Sequence, residues 1–465
     1  MKYNSYYLYR KYEKRDSQDV LPAMPSVYSV DGEGTMPKVL HISEDPECGD
    51  IPPIYRWVNM DINTDYVCDV CSGEVVNYKI KGSSIDSTEF AVLCDSATTL
   101  YHRDIPRYTK TLIIGDCIHL IDRDTFEGGY DEYAGYLESI FIPSSIGTIL
   151  DETFNNTAFY TYWPNYGKNL SYLTDCVVPT NLRVVGISAF TNCQTLENII
   201  LWDDVETLES HAFAWCHSLT TVRIPTSISK IPLGCYMGCS GLSSVYIPDN
   251  IEEIEPYAFS ESSVQIIRGC GGVKTIRGSA FQLSELIEIN FDNNSTLETI
   301  GQWAFGGCKN LTGITIPNRV TSIDKWAFSG CTRFTSIGSV GSGASVELPN
   351  SVTSIGFGSF RDCSGLTSIS IPSGVTNIGE TAFQNCTSLT GITIPNNVTN
   401  IGSNAFSDCS GFTSIRAEAT TPPTLGAYAF DNTNNCPIYV PSGSVNAYKT
   451  AINWSRYESR IQAIP

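Results

Sequence analysis

The chain has 465 residues, 42% of them hydrophobic and only 17% charged. That is apolar enough for a large core and excludes a chain disordered throughout. Lys and Arg number 29 against 49 Asp and Glu, a formal charge of −20. A chain this acidic repels nucleic acid and anionic membranes, so neither is an expected partner.

The N-terminus, MKYNSYYLYRKYEKRD, lacks an apolar stretch of about 7–15 residues and does not read as a secretory signal. Nor does any run of about 18 apolar residues occur, so no membrane-inserted helix is expected. Residues 1–105 carry no repeat. Asp31-Gly32-Glu33-Gly34 signals a turn and Pro52-Pro53 a boundary. From Ile54 the sequence changes to Tyr55-Arg56-Trp57-Val58, and Val75–Ile80 and Phe90–Cys94 read as short strands. This region is expected to hold one or two small β-rich modules and to attach the protein to its assembly. Its tyrosines Tyr3, Tyr6, Tyr7, Tyr9 and Tyr12 suit either an interface or packing on the module itself.

From about residue 106 to 440 the chain repeats. Cys363, Cys386 and Cys409 stand 23 residues apart, as do Ile371-Pro372 and Ile394-Pro395. In register the unit reads C-x-x-L-T-x-I-x-I-P-x-x-V-T-x-I-G-x-x-A-F-x-x. The aromatic of its Ala-Phe pair falls at Phe126, Phe154, Phe190, Phe213, Tyr236, Phe259, Phe281, Phe305, Phe328, Phe360, Phe383, Phe406 and Phe430. These mark about thirteen coils of about 23 residues. The step from 328 to 360 holds a Gly/Ser-rich insert, Ser336–Ser345, expected to bulge as a loop.

One unit is too short to bury its own apolar side, so the units must stack into a solenoid with a parallel sheet. Leu366, Ile369 and Ile371 alternate with polar residues like a half-buried strand, ended by Pro372. Val375 and Ile378 point inward from a second extended segment. Ala382-Phe383 is expected to fill the far end as a short helical turn. Ladder cysteines such as Cys386 are expected to be reduced core residues. Residues 441–465 should cap the array, with Ser444 N-capping a helix over 445–452 whose Val445, Tyr448 and Ile452 share one face.

The motif Ile394-Pro395-Asn396-Asn397-Val398-Thr399-Asn400-Ile401-Gly402-Ser403-Asn404-Ala405-Phe406 closely resembles the BspA-like leucine-rich repeat family. Pro422–Leu425, Tyr439–Pro441 and Val445–Tyr448 resemble the closing cap of such arrays. The resemblance implies a mainly β solenoid used for adhesion and recognition, with no catalytic residues to carry over. The leader, with Tyr55-Arg56-Trp57-Val58 and Tyr66-Val67-Cys68, resembles virion or tail proteins of crAss-like gut phages. A virion protein assembles in the host cytoplasm and needs no export signal, whereas a surface adhesin of a gut bacterium does.

Motifs that carry chemistry are sparse. Cys68-x-x-Cys71, with Cys48, Cys94 and His102 near in sequence, has zinc spacing but no second pair, so no metal is assigned. His119, His211 and His217 have no nucleophile motif beside them. Asp203-Asp204 and Asp122/Asp124 could pair as glycosidase carboxylates but read as solvated surface. No cofactor and no enzymatic activity are expected.

The residues flanking the inner Ile of each strand should face outward. In the C-terminal coils they are small: Gly313 and Thr315, Ser368 and Ser370, Gly391 and Thr393. Earlier coils hold Asp175, Asn198, Ile200, Arg223, Tyr246, Glu288 and Asn290, and Trp202 replaces the Pro. Large, mixed side chains with Trp, Tyr and Arg suit recognition, and these are the candidate binding residues. The expected partners are a host surface protein or glycan through the solenoid and virion subunits through the N-terminal region. A homo-oligomer stays open.

Overall fold

The computed structural model describes residues 137–154, 173–291, 296–337 and 348–465 continuously, short pieces between 99 and 126, and single backbone strands before them. The tyrosines of the first segment, Cys48, Cys68, Cys71, Cys94, His102, Asp124 and most of the Gly/Ser insert lie outside the described residues. The chain divides into two units: residues 1–147 with 160–179, and residues 148–159 with 180–465.

In the first unit, strands Val27–Tyr28, Val39–Ser43, Ile54–Asn59 and Thr64–Val67 form an antiparallel meander. Tyr78–Lys79 then runs antiparallel to Phe90–Leu93. Beyond it the pairing turns parallel, through Thr111–Ile114, Ser139–Phe141 and Asp175–Val177. Parallel neighbours require a return path between them, which in a solenoid is one coil. Thr99–Leu100 pairs with Leu120–Ile121 as the second side of such a coil. Parallel pairing therefore begins at Phe90, ahead of the first repeat visible in the sequence.

In the second unit every coil has three sides. The Val-x-x-Ile side is the most regular. Its two-residue strands stack into a nine-stranded parallel sheet from Lys230–Ile231 to Thr424–Leu425. Ile254, Ile276, Ile300, Ile355, Ile378 and Ile401 point inward from it and are fully buried. The Leu-x-x-Ile-x-Ile side, expected to be the principal strand, forms shorter sheets. Ser244–Ile247, Ile266–Gly269 and Glu288–Ile289 make one, and Gly391–Ile394, Ser414–Ala417, Ile438–Val440 and Ile461–Ala463 another. Segment 366–371 forms no named strand. The corresponding side of the coil before it falls within the insert, outside the described residues.

The third side corrects the expected helical turn. Thr381 and Asn385, flanking Ala382-Phe383, are both left-handed, with φ of 53° and 62°. This turns alternate N–H groups along the array instead of along the chain. The N–H groups of Thr381, Phe383 and Asn385 donate to the carbonyls of Ser403, Ala405 and Ser407, at 2.9, 2.7 and 2.9 Å. The same two left-handed positions recur in coil after coil, occupied even by Tyr257, Trp303, Trp326 and Tyr428. A bulky residue with positive φ is costly, and the inter-coil hydrogen bonds hold it there.

Inside, the ladder aromatics from Phe154 to Phe430 stack face to face, with ring centroids 4.8–5.7 Å apart. Each ladder cysteine clips one coil to the one before. The Cys386 and Cys409 thiols donate to the carbonyls of Phe360 and Phe383 at 3.2 and 3.1 Å, and Cys193, Cys216 and Cys239 repeat the bond. The described cysteines are buried, and none is joined in a disulfide. Burial pushes the Cys239 and Cys308 thiols up to about 12, so they stay protonated donors and not nucleophiles.

The end of the chain closes the array differently from the expected amphipathic helix. The helix is only Val445–Thr450, and Ser444 does not cap it; its hydroxyl donates to the Thr420 carbonyl at 2.7 Å. Ala451 is extended, which ends the helix and leaves Ile452 85% exposed. Trp454 does the covering. Its ring lies 5.6 Å from Phe430 and 4.8 Å from Tyr448, and its indole N–H donates to the Pro423 carbonyl. Ile461–Ala463 then pairs with Ile438–Val440 as a last strand. No helix among the described residues is long and apolar enough to cross a membrane.

Candidate functional site

The candidate residues sit on the Leu-x-x-Ile-x-Ile side, where inward side chains are fixed by stacking and outward ones are free to vary. Asp175 is half-buried in strand Asp175–Val177 of the first unit. The others belong to the second unit. Asn198 bridges to Thr221 in the next coil, which places Ile200 beside Arg223. Strand register then pairs Tyr246 with Arg268 and Ile266 with Glu288.

The structure gathers Trp202, Asp203 and Arg223 into one cluster. The Arg223 guanidinium lies 6.0 Å from the centre of the Trp202 ring, pairs with Asp203, and donates to the Leu201 carbonyl at 2.7 Å. Asp203 also accepts the Thr226 N–H at 2.8 Å. Burial pulls the Asp203 carboxyl up, but the Thr226 N–H and Arg223 outweigh it and hold it below its ordinary value. Asp203 is thus a fixed anchor for Arg223. Asp204 is exposed and has no role in this cluster.

Tyr246 is exposed, at 61%. Its ring leans toward Gly269 of the next coil, where a Cβ would meet the Tyr246 ring at 3.3 Å and the Ile247 carbonyl at 2.0 Å. Gly269, at φ +83°, leaves the room that the ring uses. Glu288 is half-buried and Asn290 exposed two coils on.

Arg268 was not among the residues picked out from the sequence. Its coil has neither the Cys nor the Ile-Pro that set the register, and it steps by 22 residues, not 23. Counting 22 from Tyr246 would have found it.

One pair suggests catalysis and does not sustain it. Ser240 Oγ lies 3.1 Å from His217 Nδ1, but the Gly238 carbonyl faces the same nitrogen at 3.0 Å. A carbonyl only accepts, so Nδ1 carries the hydrogen and is not a base toward Ser240. Among the described residues, no group of three or more His, Cys, Asp or Glu is placed to hold a metal ion.

The family model for BspA type leucine rich repeat regions matches six copies, over residues 165–288, 274–342 and 339–456, more than half of the chain. Among solved structures, the chain is similar to a leucine-rich repeat protein from Bacteroides ovatus ATCC 8483. Identity is 21%, the match covers 84% of this chain and 98% of that one, and the TM-score is 0.62. A leucine rich cell surface protein from Faecalibacterium prausnitzii A2-165 also matches, at 21% identity over 91% of this chain and 99% of that one, with a TM-score of 0.41. No curated protein matches at a significant level.

Proposed function

We propose that this chain, which belongs to the BspA-type leucine-rich repeat family, is a non-enzymatic binding protein that recognises its partner with the outward strand face of its middle coils. One observation carries this reading. Consecutive coils share the same interior, yet the outward positions from Ile200 to Asn290 hold Arg223, Tyr246 and Arg268, with Tyr246 paired to Arg268 in register and Trp202 held against Arg223. Stacking does not need such side chains, since Ser370 and Thr393 serve at the same positions further on. Exposed Tyr, Trp and Arg are the residues that most often anchor binding.

The test is attachment of the full chain to host cells or to its partner subunit. Trp202→Ala, Arg223→Ala and Tyr246→Ala should keep the melting temperature and weaken attachment. Substitutions at Ser368 and Thr393 should leave both the melting temperature and attachment unchanged. Wild-type attachment by all three variants would refute the reading.

The finer reading places the protein on a phage virion, docked through residues 1–105, and it rests on the resemblance of the Tyr55–Val58 and Tyr66–Cys68 segments. Stoichiometric peptides in purified phage particles would support it. Peptides confined to a bacterial envelope fraction would point instead to a surface adhesin.

A further inference from the structure

Within the row of outward residues, Arg268 is an arginine with no acidic partner among the described residues. Arg183, Arg223, Arg277 and Arg319 each pair with an acidic side chain one coil away: Glu206, Asp203, Glu253 and Glu298. Arg268 stands in the same kind of exposed setting, in a chain of charge −20, and has no hydrogen bond or ion pair among the described residues. Its strand neighbour is Tyr246, which is 61% exposed and whose hydroxyl likewise has no hydrogen bond among the described residues. Glu288 sits diagonally across from Arg268 yet does not reach it in an ion pair.

We infer that Tyr246 and Arg268 form a subsite for an acidic glycan, with a sugar ring against Tyr246 and its carboxylate on Arg268. This rests on the recognition reading above and names its ligand class. Neighbouring strands lie about 4.8 Å apart, which is the scale of one sugar from ring face to carboxylate. A guanidinium binds a carboxylate through two parallel N–H donors, a match that a neutral sugar does not offer. Gly269 frees the space that lets the Tyr246 ring lie along the array, toward Arg268's coil. The surrounding outward residues, Thr221, Ser244 and Asn290, are exposed hydroxyls and an amide. Such groups serve sugar hydroxyls. An apolar pocket for a peptide side chain is not built here among the described residues. Both flanks of strand Ile266–Gly269 are already paired, so an extended peptide cannot join it as a new strand.

The experiment is titration calorimetry of the full chain with polygalacturonate oligosaccharides, hyaluronan oligosaccharides and sialyllactose, at two salt concentrations. At least one of these sugar carboxylates should bind, more weakly at high salt. Methyl esterification of that ligand should abolish binding. Tyr246→Ala and Arg268→Gln should each weaken it by about tenfold or more, with thermal melting unchanged. Arg333→Ala, which removes an exposed arginine on another coil, should leave it intact. The inference is overturned if none of the three binds, if the ester binds as well as the acid, or if either variant binds like wild type. It is also overturned if oligoglutamate peptides bind through Tyr246 and Arg268 while the glycans do not. Loss of cell attachment in Tyr246→Ala without any glycan binding would leave the recognition reading standing and refute this one.

Discussion

The middle coils, around residues 198–290, and the C-terminal coils, around residues 363–440, are built on the same interior and present different exteriors. Phe259 and Phe383 occupy the same rung, both fully buried and stacked on their neighbours at 5.3 Å. One position on the strand side holds Tyr246 and Arg268 in one region and Thr393 and Arg416 in the other. There Arg416 is already paired with Glu418, on its own strand side, whereas Arg268 has no such pair among the described residues. A solenoid thus separates its duties by direction. Inward positions are dictated by the coil above and below, and outward ones answer to whatever lies outside.

The largest expected effect tests whether both regions depend on one closed end. Deleting residues 441–465 exposes Phe430 and the edge of strand Ile438–Val440, so the truncated chain should aggregate on size-exclusion chromatography. A monodisperse truncation would show that the array tolerates an open end. Next, Phe259→Ala and Phe383→Ala should each cost about 3–5 kcal/mol in chemical unfolding, because each removes a rung and leaves a cavity. Similar losses in both regions would confirm that the interiors are equivalent, and a much smaller loss in one would break the comparison.

A smaller effect falls on the turn side. Gly238 is left-handed, at φ +70°, and the Trp215 ring of the previous coil lies where a Cβ would go, 2.2 Å away. Gly238→Ala should cost about 1–3 kcal/mol, and Trp215→Ala in the same chain should recover part of it. The smallest effect concerns acid. Hydrogen bonds from Arg456 hold the Asp431 carboxyl below its ordinary value of 3.8; burial opposes them, and the Tyr457 hydroxyl adds to them. A depressed carboxyl contributes stability above its unfolded value, and that contribution is lost as pH falls below 3.8 through the folded value. Asp431→Asn should therefore flatten this acid limb, by less than about 1 kcal/mol at so exposed a pair.

The repeat was legible because stacking writes the same apolar residues into every coil. The aromatic ladder, the Ile rows and the buried cysteines follow from spacing alone. The turn side was less so. Asn192, Asn385 and Asp408 hint at a left-handed residue two places after the aromatic, but Trp303 and Trp326 at the matching place before it do not. Ser444 looked like a helix cap, and a longer-range partner, the Thr420 carbonyl, took its hydroxyl instead.

The sequence by itself determined the coil: its length, its inward residues, its stacking, and hence the family. Those features repeat, and each is set by residues a fixed distance apart. The tertiary structure alone decided which outward side chains meet. Trp202 reaches Arg223 and Tyr246 lies beside Arg268 because coils of 22, 23 and 24 residues end in register, with the extra or missing residue absorbed in the turns. Which coil takes 22, 23 or 24 residues is settled by how each coil closes against the next, and only then does the count along the chain find the partner.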